Sequence, residues 1–388
     1  MTRRQLSMAF TLGWRVMPLL ILLLLGLSAG ASEGAPTLVA DGRVTRTPRD
    51  RALTAQAAAP GGGAPTGGTR FGRIRVAYFP ILYNLPLCIA HELGLWRAAG
   101  IESELVSVRS GPLVLSALLS GDADYAVPSF DSLVHLQERS RRDTIAIANV
   151  LTRLTMNLVL HRDVAAARGV SRASPLAERL RALRGLTLGV TQPGAVSDLY
   201  ARYFLRRAGA DPERDASLVA IGDGTALLAA LRTRQIQGYV LSAPTPQIAE
   251  REGFGTILIR PSQGDVPELT DFAPVVVVTA QQHATRNPEQ VSAFLSGLAR
   301  ARRMVVEAGG SPQVRGVVQK YFPGMTDDVL AISLDDILPA LSPDGRLSEP
   351  MIRRTLDVLA DTGQIPPAWR SRSAAEGDLW TNRFQPTP

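Results

Sequence analysis

A chain of 388 residues with 45% hydrophobic content is long enough for two folded domains with cores of their own, and its single cysteine, Cys88, excludes a disulfide-stapled scaffold. Its formal net charge of +7 arises from 42 basic and 35 acidic residues spread along the chain with no basic block, so no nucleic-acid partner is expected. Histidines scattered at 91, 135, 161 and 283 give no metal-ligand spacing, and neither a metal nor any other cofactor is expected.

In chain order, Arg3 and Arg4 precede an apolar run, Met17–Leu27, which ends at the small residues Ala29-Gly30-Ala31. The run is short for a span of about 20 residues, so the pattern predicts a signal peptide over 1–31, cleaved after Ala31, and export to the periplasm. Its removal leaves 39 basic residues against 35 acidic ones, a mild excess. No cysteine follows the run to carry a lipid. Residues 32–70, with APGGGAPTGGT at 59–69, hold no period of 2 or 3.6 and predict a flexible tether.

Order is predicted from Arg73. RIRVAY (73–78) alternates as a half-buried strand; 79–86 reads as a loop and 87–99 as a helix stopped by Gly100. Strands follow at 101–108, 125–127 and 144–150, with helices from 113 to 119 and from about 130 to 138. The outline then recurs: strands at 157–160, 186–189, 217–221, 238–241 and 255–259, with helices at 176–183, 195–207, 223–232 and from Ala243-Pro244 to about Gly253. A last, strongly apolar strand spans 272–279. Helices follow at 288–307, 311–321, 326–338 and 349–361, and Leu379-Trp380 reads as a tail tucked onto the surface. Strands alternating with helices through short Gly/Pro turns predict mainly parallel sheets covered by helices.

The stretch LTLGVTQPGAVSD, 186–198, is a strand that breaks at a Gly/Pro turn and opens a helix. Such a turn places unpaired backbone N–H groups at a strand's carboxyl edge, where a small anionic or polar group can sit; the alternative is an ordinary loop that needs Gly194 for its backbone shape. Five strand-to-helix joins of this kind occur, at Tyr83-Asn84, Ser110-Gly111, Pro128-Ser129, Gln192–Gly194 and Ser242–Pro244. In open α/β sheets ligands bind beyond the carboxyl ends of strands, so a cleft between two lobes would gather these joins.

The ordered series HELGLWRAAGIESELV, LLSGDADYAV, LRGLTLGVTQPGAVSDLYARYFLRRAGADP and LVAIGDGTALLAALRTRQIQGYVLSAPTPQIAEREGFG, followed by a helical tail, resembles the substrate-binding proteins of bacterial ABC importers of the nitrate, sulfonate and taurine type. These are related to the NMT1/THI5-like pyrimidine-precursor binding proteins. The resemblance covers roughly residues 73–370. It implies the type II periplasmic binding protein fold: two α/β lobes joined by crossover strands near 151–157 and 261–272, with ligand clamped between them. Lobe I would take 73–155 plus 272–370, lobe II 156–271, and 371–388 would form a C-terminal tail.

Carried over by resemblance, the ligand site comprises Tyr83, Asn84, Ser129, Thr191, Gly194, Ala195, Ser197, Ser242 and Pro244. Each serine or threonine hydroxyl has helix capping as its alternative role, and Tyr83 has simple packing. Arg109 and Arg153 are further candidates to pair with an anion. The implied function is a non-catalytic periplasmic receptor that captures a small polar or anionic organic compound and delivers it to ABC permease and ATPase subunits, acting as a monomer. The alternatives are an enzyme or a ligand-presenting sensor on the same fold. Family members often carry an acidic residue before the strand at 239, where this chain has Gln237-Gly238, and the cysteine-rich motif of the pyrimidine-synthesising enzymes is missing.

Overall fold

In a computed structural model the described residues are 70–139 and 143–386. The expected signal peptide and all but the last residue of the expected tether lie outside them. Ten strands form two five-stranded sheets. The first contains β1 (Arg73–Tyr78), β2 (Glu102–Ser107), β3 (Tyr125–Ala126), β4 (Thr144–Asn149) and β10 (Val276–Ala280), in the order β2-β1-β3-β10-β4. The second contains β5 (Asn157–His161), β6 (Thr187–Val190), β7 (Ser217–Ala220), β8 (Gly238–Leu241) and β9 (Gly255–Ile259), in the order β7-β6-β8-β5-β9.

Each sheet is parallel apart from one strand. β10 runs antiparallel to both β3 and β4, and β5 runs antiparallel to both β8 and β9. The cause is the length of the connections. Parallel neighbours need a crossover of a dozen or more residues, but only residues 150–156 separate β4 from β5, so the chain enters the second sheet directly from the end at which it left the first. The return, residues 260–275, carries the chain from the end of β9 back to the first sheet as β10. The two crossings are hydrogen-bonded together, with Leu154 N donating to Leu269 O at 3.1 Å and Phe272 N to Thr152 O at 3.2 Å.

Local chemistry explains where the structure departs from the periodicity. The helix expected over 87–99 is two helices, Leu85–Glu92 and Leu95–Ala98, because Gly94 takes the left-handed conformation at φ +66. Helices Arg162–Ala167 and Gln281–Arg286 follow β5 and β10 and were not expected; six residues are too few to display a 3.6 period. Gly238 stands where a Cβ would lie 2.4 Å from Leu160 Cδ2 and 2.7 Å from Val159 O, so close packing of β8 on β5 requires glycine there. The 379–380 tail is not a surface tuck. Leu379 and Trp380 are buried, and Ala146 N donates to Leu379 O while Thr381 N donates to Ala146 O, which adds a short strand to the free edge of β4.

Candidate functional site

The carboxyl ends of strands from both sheets border one cleft holding about 700 Å³ of empty space, part of it open to solvent. Its lining includes Ile81, Tyr83, Ser129 and Asp131 from the joins after β1 and β3, and Thr191, Ala195, Ser197 and Tyr200 from the join after β6. Thr155 and Met156 come from the first crossing, Ser242 from the end of β8, and Leu359 and Gln364 from the last long helix and the turn beyond it. Two sheets and the C-terminal segment therefore meet at the site.

The turn after β6 is locked from within. Thr191 N donates to Ser197 Oγ at 3.0 Å, and the two hydroxyls lie 3.0 Å apart. Gly194 N donates to Asp198 Oδ2 at 2.9 Å, while Asp198 Oδ1 accepts from Arg202 Nε at 2.9 Å. Ala195 N donates to Gln192 O. These N–H groups are thus occupied rather than presented to the cleft, contrary to the expectation for this turn. What adjoins the cleft is the start of helix Val196–Arg207, whose capping position is Ala195. Alanine has no side-chain acceptor for first-turn N–H groups, so this helix start is open to a polar partner.

The hydroxyls take individual roles. Ser129 precedes helix Phe130–Glu138 but makes no side-chain cap bond; its Oγ lies 3.0 Å from Ser132 Oγ. Ser242 Oγ is 2.6 Å from Thr155 Oγ1, joining the end of β8 to the first crossing. Asp131, in the first turn of helix Phe130–Glu138, is buried, and desolvation pushes its carboxyl above the ordinary carboxylate range despite opposing contributions from Ser129, nearby backbone N–H groups and His135. Burial likewise raises the phenols of Tyr83 and Tyr200 above their ordinary value. Among the described residues the Tyr200 hydroxyl makes no well-formed hydrogen bond, and the Gln364 side chain beside it opposes the rise.

Of the residues expected at the site, Tyr83, Ser129, Thr191, Ala195, Ser197 and Ser242 line this cleft, and Asn84, Gly194 and Pro244 do not. Asn84 is buried beside it, with Nδ2 donating to Phe79 O at 2.9 Å. Gly194 is exposed at φ +75, a backbone conformation that favours glycine, and a Cβ there would meet no protein atom within 4 Å. Pro244 is buried at the start of helix Thr245–Arg251. Arg109 is exposed and does not line the cleft, and Arg153 is turned toward Ser262 O at 3.3 Å. Sequence reasoning missed Asp131, Tyr200, Thr155 and Gln364. Tyr200 had a usable signal, lying one helical turn after Ser197; Asp131 and Gln364 had none.

The profile of the NMT1-like family matches residues 71–316. The nitrate/nitrite binding protein NrtA of Nostoc sp. strain PCC 7120 is 21% identical over 328 residues, covering 78% of this chain and 71% of that protein. Among solved structures, the alkanesulfonate-binding protein SsuA from Xanthomonas axonopodis pv. citri superposes with a TM-score of 0.59 at 17% identity, over 79% of this chain and 98% of that one. The periplasmic nitrate-binding protein NrtA from Synechocystis PCC 6803 gives a TM-score of 0.59 at 16% identity, over 82% and 88%. At such identities the likeness is one of fold, and the fold is that of the periplasmic binding proteins, as the sequence implied.

Proposed function

The chain belongs to the NMT1-like family, and on that premise we propose that it is a solute-binding receptor that captures a small polar organic compound and delivers it to an ABC importer. The observation that carries this reading is the cleft itself, in which polar groups from the joins of both sheets and from the first crossing converge on a mainly apolar lining. Tyr83, Ser129, Thr191, Ser197 and Ser242 supply its polar side, and the open start of helix Val196–Arg207 adds backbone donors.

The lobes of this reading are 73–155 with 272–370 and 156–271, a division supported by the membership of the two sheets. The partners are an ABC permease and ATPase, and the receptor acts as a monomer in the periplasm after cleavage near Ala31. Two measurements test it. Deleting the gene should abolish uptake of the solute that raises the purified protein's melting temperature; unchanged uptake would remove the transport role. N-terminal sequencing of periplasmic extract should start at Ser32, and recovery of the Met1 form in membranes would overturn the location.

A further inference from the structure

The charge of the cleft narrows what it can hold. Its lining carries one carboxyl group, Asp131, and no lysine, arginine or histidine among the described residues. Asp131 is 4% exposed. Its compensation comes from its own helix start and the residues beside it: the Ser129 hydroxyl, the backbone N–H groups of Asp131 and Ser132, and His135. Tyr200, 1% exposed and contributed by the other sheet's helix Val196–Arg207, lines the same cleft with a hydroxyl that makes no well-formed hydrogen bond and has Gln364 as a polar neighbour. The remaining lining is mainly apolar, with Phe79, Ile81, Leu154, Met156 and Leu241 prominent, and the neutral polar groups of Tyr83, Thr155, Thr191, Ser197, Ser242 and Gln364 are interspersed in it.

A desolvated carboxylate without a cation is costly, and a bound cation offsets that cost, whereas an oxyanion placed beside it adds like-charge repulsion. An apolar lining of this extent suits an organic body rather than a bare inorganic ion. We propose that Asp131 and Tyr200 form the recognition pair for the cationic end of a compact organic amine or amidine, whose apolar body fills the rest of the cleft. This rests on the receptor reading of the same cleft and names the ligand class within it. In the complex the Asp131 carboxylate accepts N–H donors from the cation. The Tyr200 oxygen accepts another, or its hydroxyl donates to Asp131.

A series of equal shape and different charge tests the assignment: benzamidine, benzamide and benzoate, with nitrate and methanesulfonate as oxyanion controls, measured by calorimetric titration on the full mature chain. Benzamidine should bind the wild type roughly thirtyfold or more tightly than benzamide, with benzoate weakest. Asp131→Asn, which keeps the side-chain shape, should erase the benzamidine preference, and Tyr200→Phe should reduce it. The wild-type series reads out charge preference even if a variant fails to fold. Tighter binding of benzoate, nitrate or methanesulfonate would overturn the assignment and leave the receptor reading standing. Lack of binding by every probe would also overturn it, and the uptake assay would then decide the receptor reading separately. A benzamidine preference that survives Asp131→Asn would remove Asp131 from the site.

Discussion

Asp131 and Ser197 sit in the same cleft wall system but are held by opposite physics. Desolvation lifts the Asp131 carboxyl above its ordinary range. A carboxyl whose pKa is raised on folding contributes stability below its unfolded value, about 3.9, and that contribution is lost as pH rises through the folded value. Ligand-free wild-type protein should therefore fall behind Asp131→Asn in melting temperature as pH climbs above about 4. Parallel melting curves for the two proteins would show that Asp131 is solvated. Ser197, by contrast, is fully engaged, accepting from Thr191 N at 3.0 Å. Ser197→Ala strands a buried N–H and should cost about 1–3 kcal/mol, measured from the denaturant midpoint at constant slope. An unchanged midpoint would mean that the turn finds another acceptor. Hydroxyls at strand-to-helix joins were legible as site candidates through the resemblance, although helix capping is an ordinary competing use of that position. Asp131 was not: an aspartate in a first helical turn normally complements the helix dipole, and only burial, a tertiary property, marks it out.

At the scale of elements, the strands were the readable part. Short apolar runs bounded by Gly and Pro leave little freedom, and β1, β8 and β9 fall where they were expected, β1 from its alternation. The tail shows the limit. Nothing local in 379–381 distinguishes a surface patch from an edge strand, since its partner Ala146 lies more than two hundred residues earlier and is bonded through backbone alone. Covering the free edge of β4 protects a row of backbone groups from pairing with other chains. Trp380, 4% exposed with its indole N–H donating to Ala374 O at 2.9 Å, anchors this cover. Trp380→Ala should destabilise the protein by about 3–5 kcal/mol and promote aggregation on partial unfolding. A loss below about 1 kcal/mol in the denaturant curve would show that the tail docks without the indole.

For the whole molecule, sequence order misleads about what is fastened to what. Helix Asp327–Ile337 follows β10 in the chain, yet its buried Asp336 is bonded to the second sheet and the return crossing. It accepts from Asn157 Nδ2 at 2.6 Å, Gln247 Nε2 at 3.0 Å, Arg260 Nε at 3.0 Å and Ser262 Oγ at 2.9 Å. The sequence could not reveal this, because a helix with an apolar stripe and one inward aspartate has no local feature that names its distant partners. Asp336→Ala removes four acceptor contacts and leaves Arg260 only its exposed contact with Asp335. Loss of one partner from such a buried pair costs about 3–5 kcal/mol, so the variant should unfold at much lower denaturant. Two-state unfolding at an unchanged midpoint would indicate that water replaces the carboxylate without loss.

The chain also carries a built-in optical probe of its own cleft. Trp369 donates its indole N–H to Glu138 Oε1 at 2.8 Å. Glu138 ends the helix that begins beside Ser129 and Asp131, and Trp369 follows, within five residues, the cleft residue Gln364. A solute that shifts either the helix or the tail must disturb this one indole. Trp96, by contrast, is sealed in the first sheet's core, stacked on Phe294 at 5.0 Å. Titration with a solute that raises the melting temperature should therefore change the emission, and Trp369→Phe should abolish most of that change while leaving affinity intact. An equal emission change in the variant would place the moving indole elsewhere.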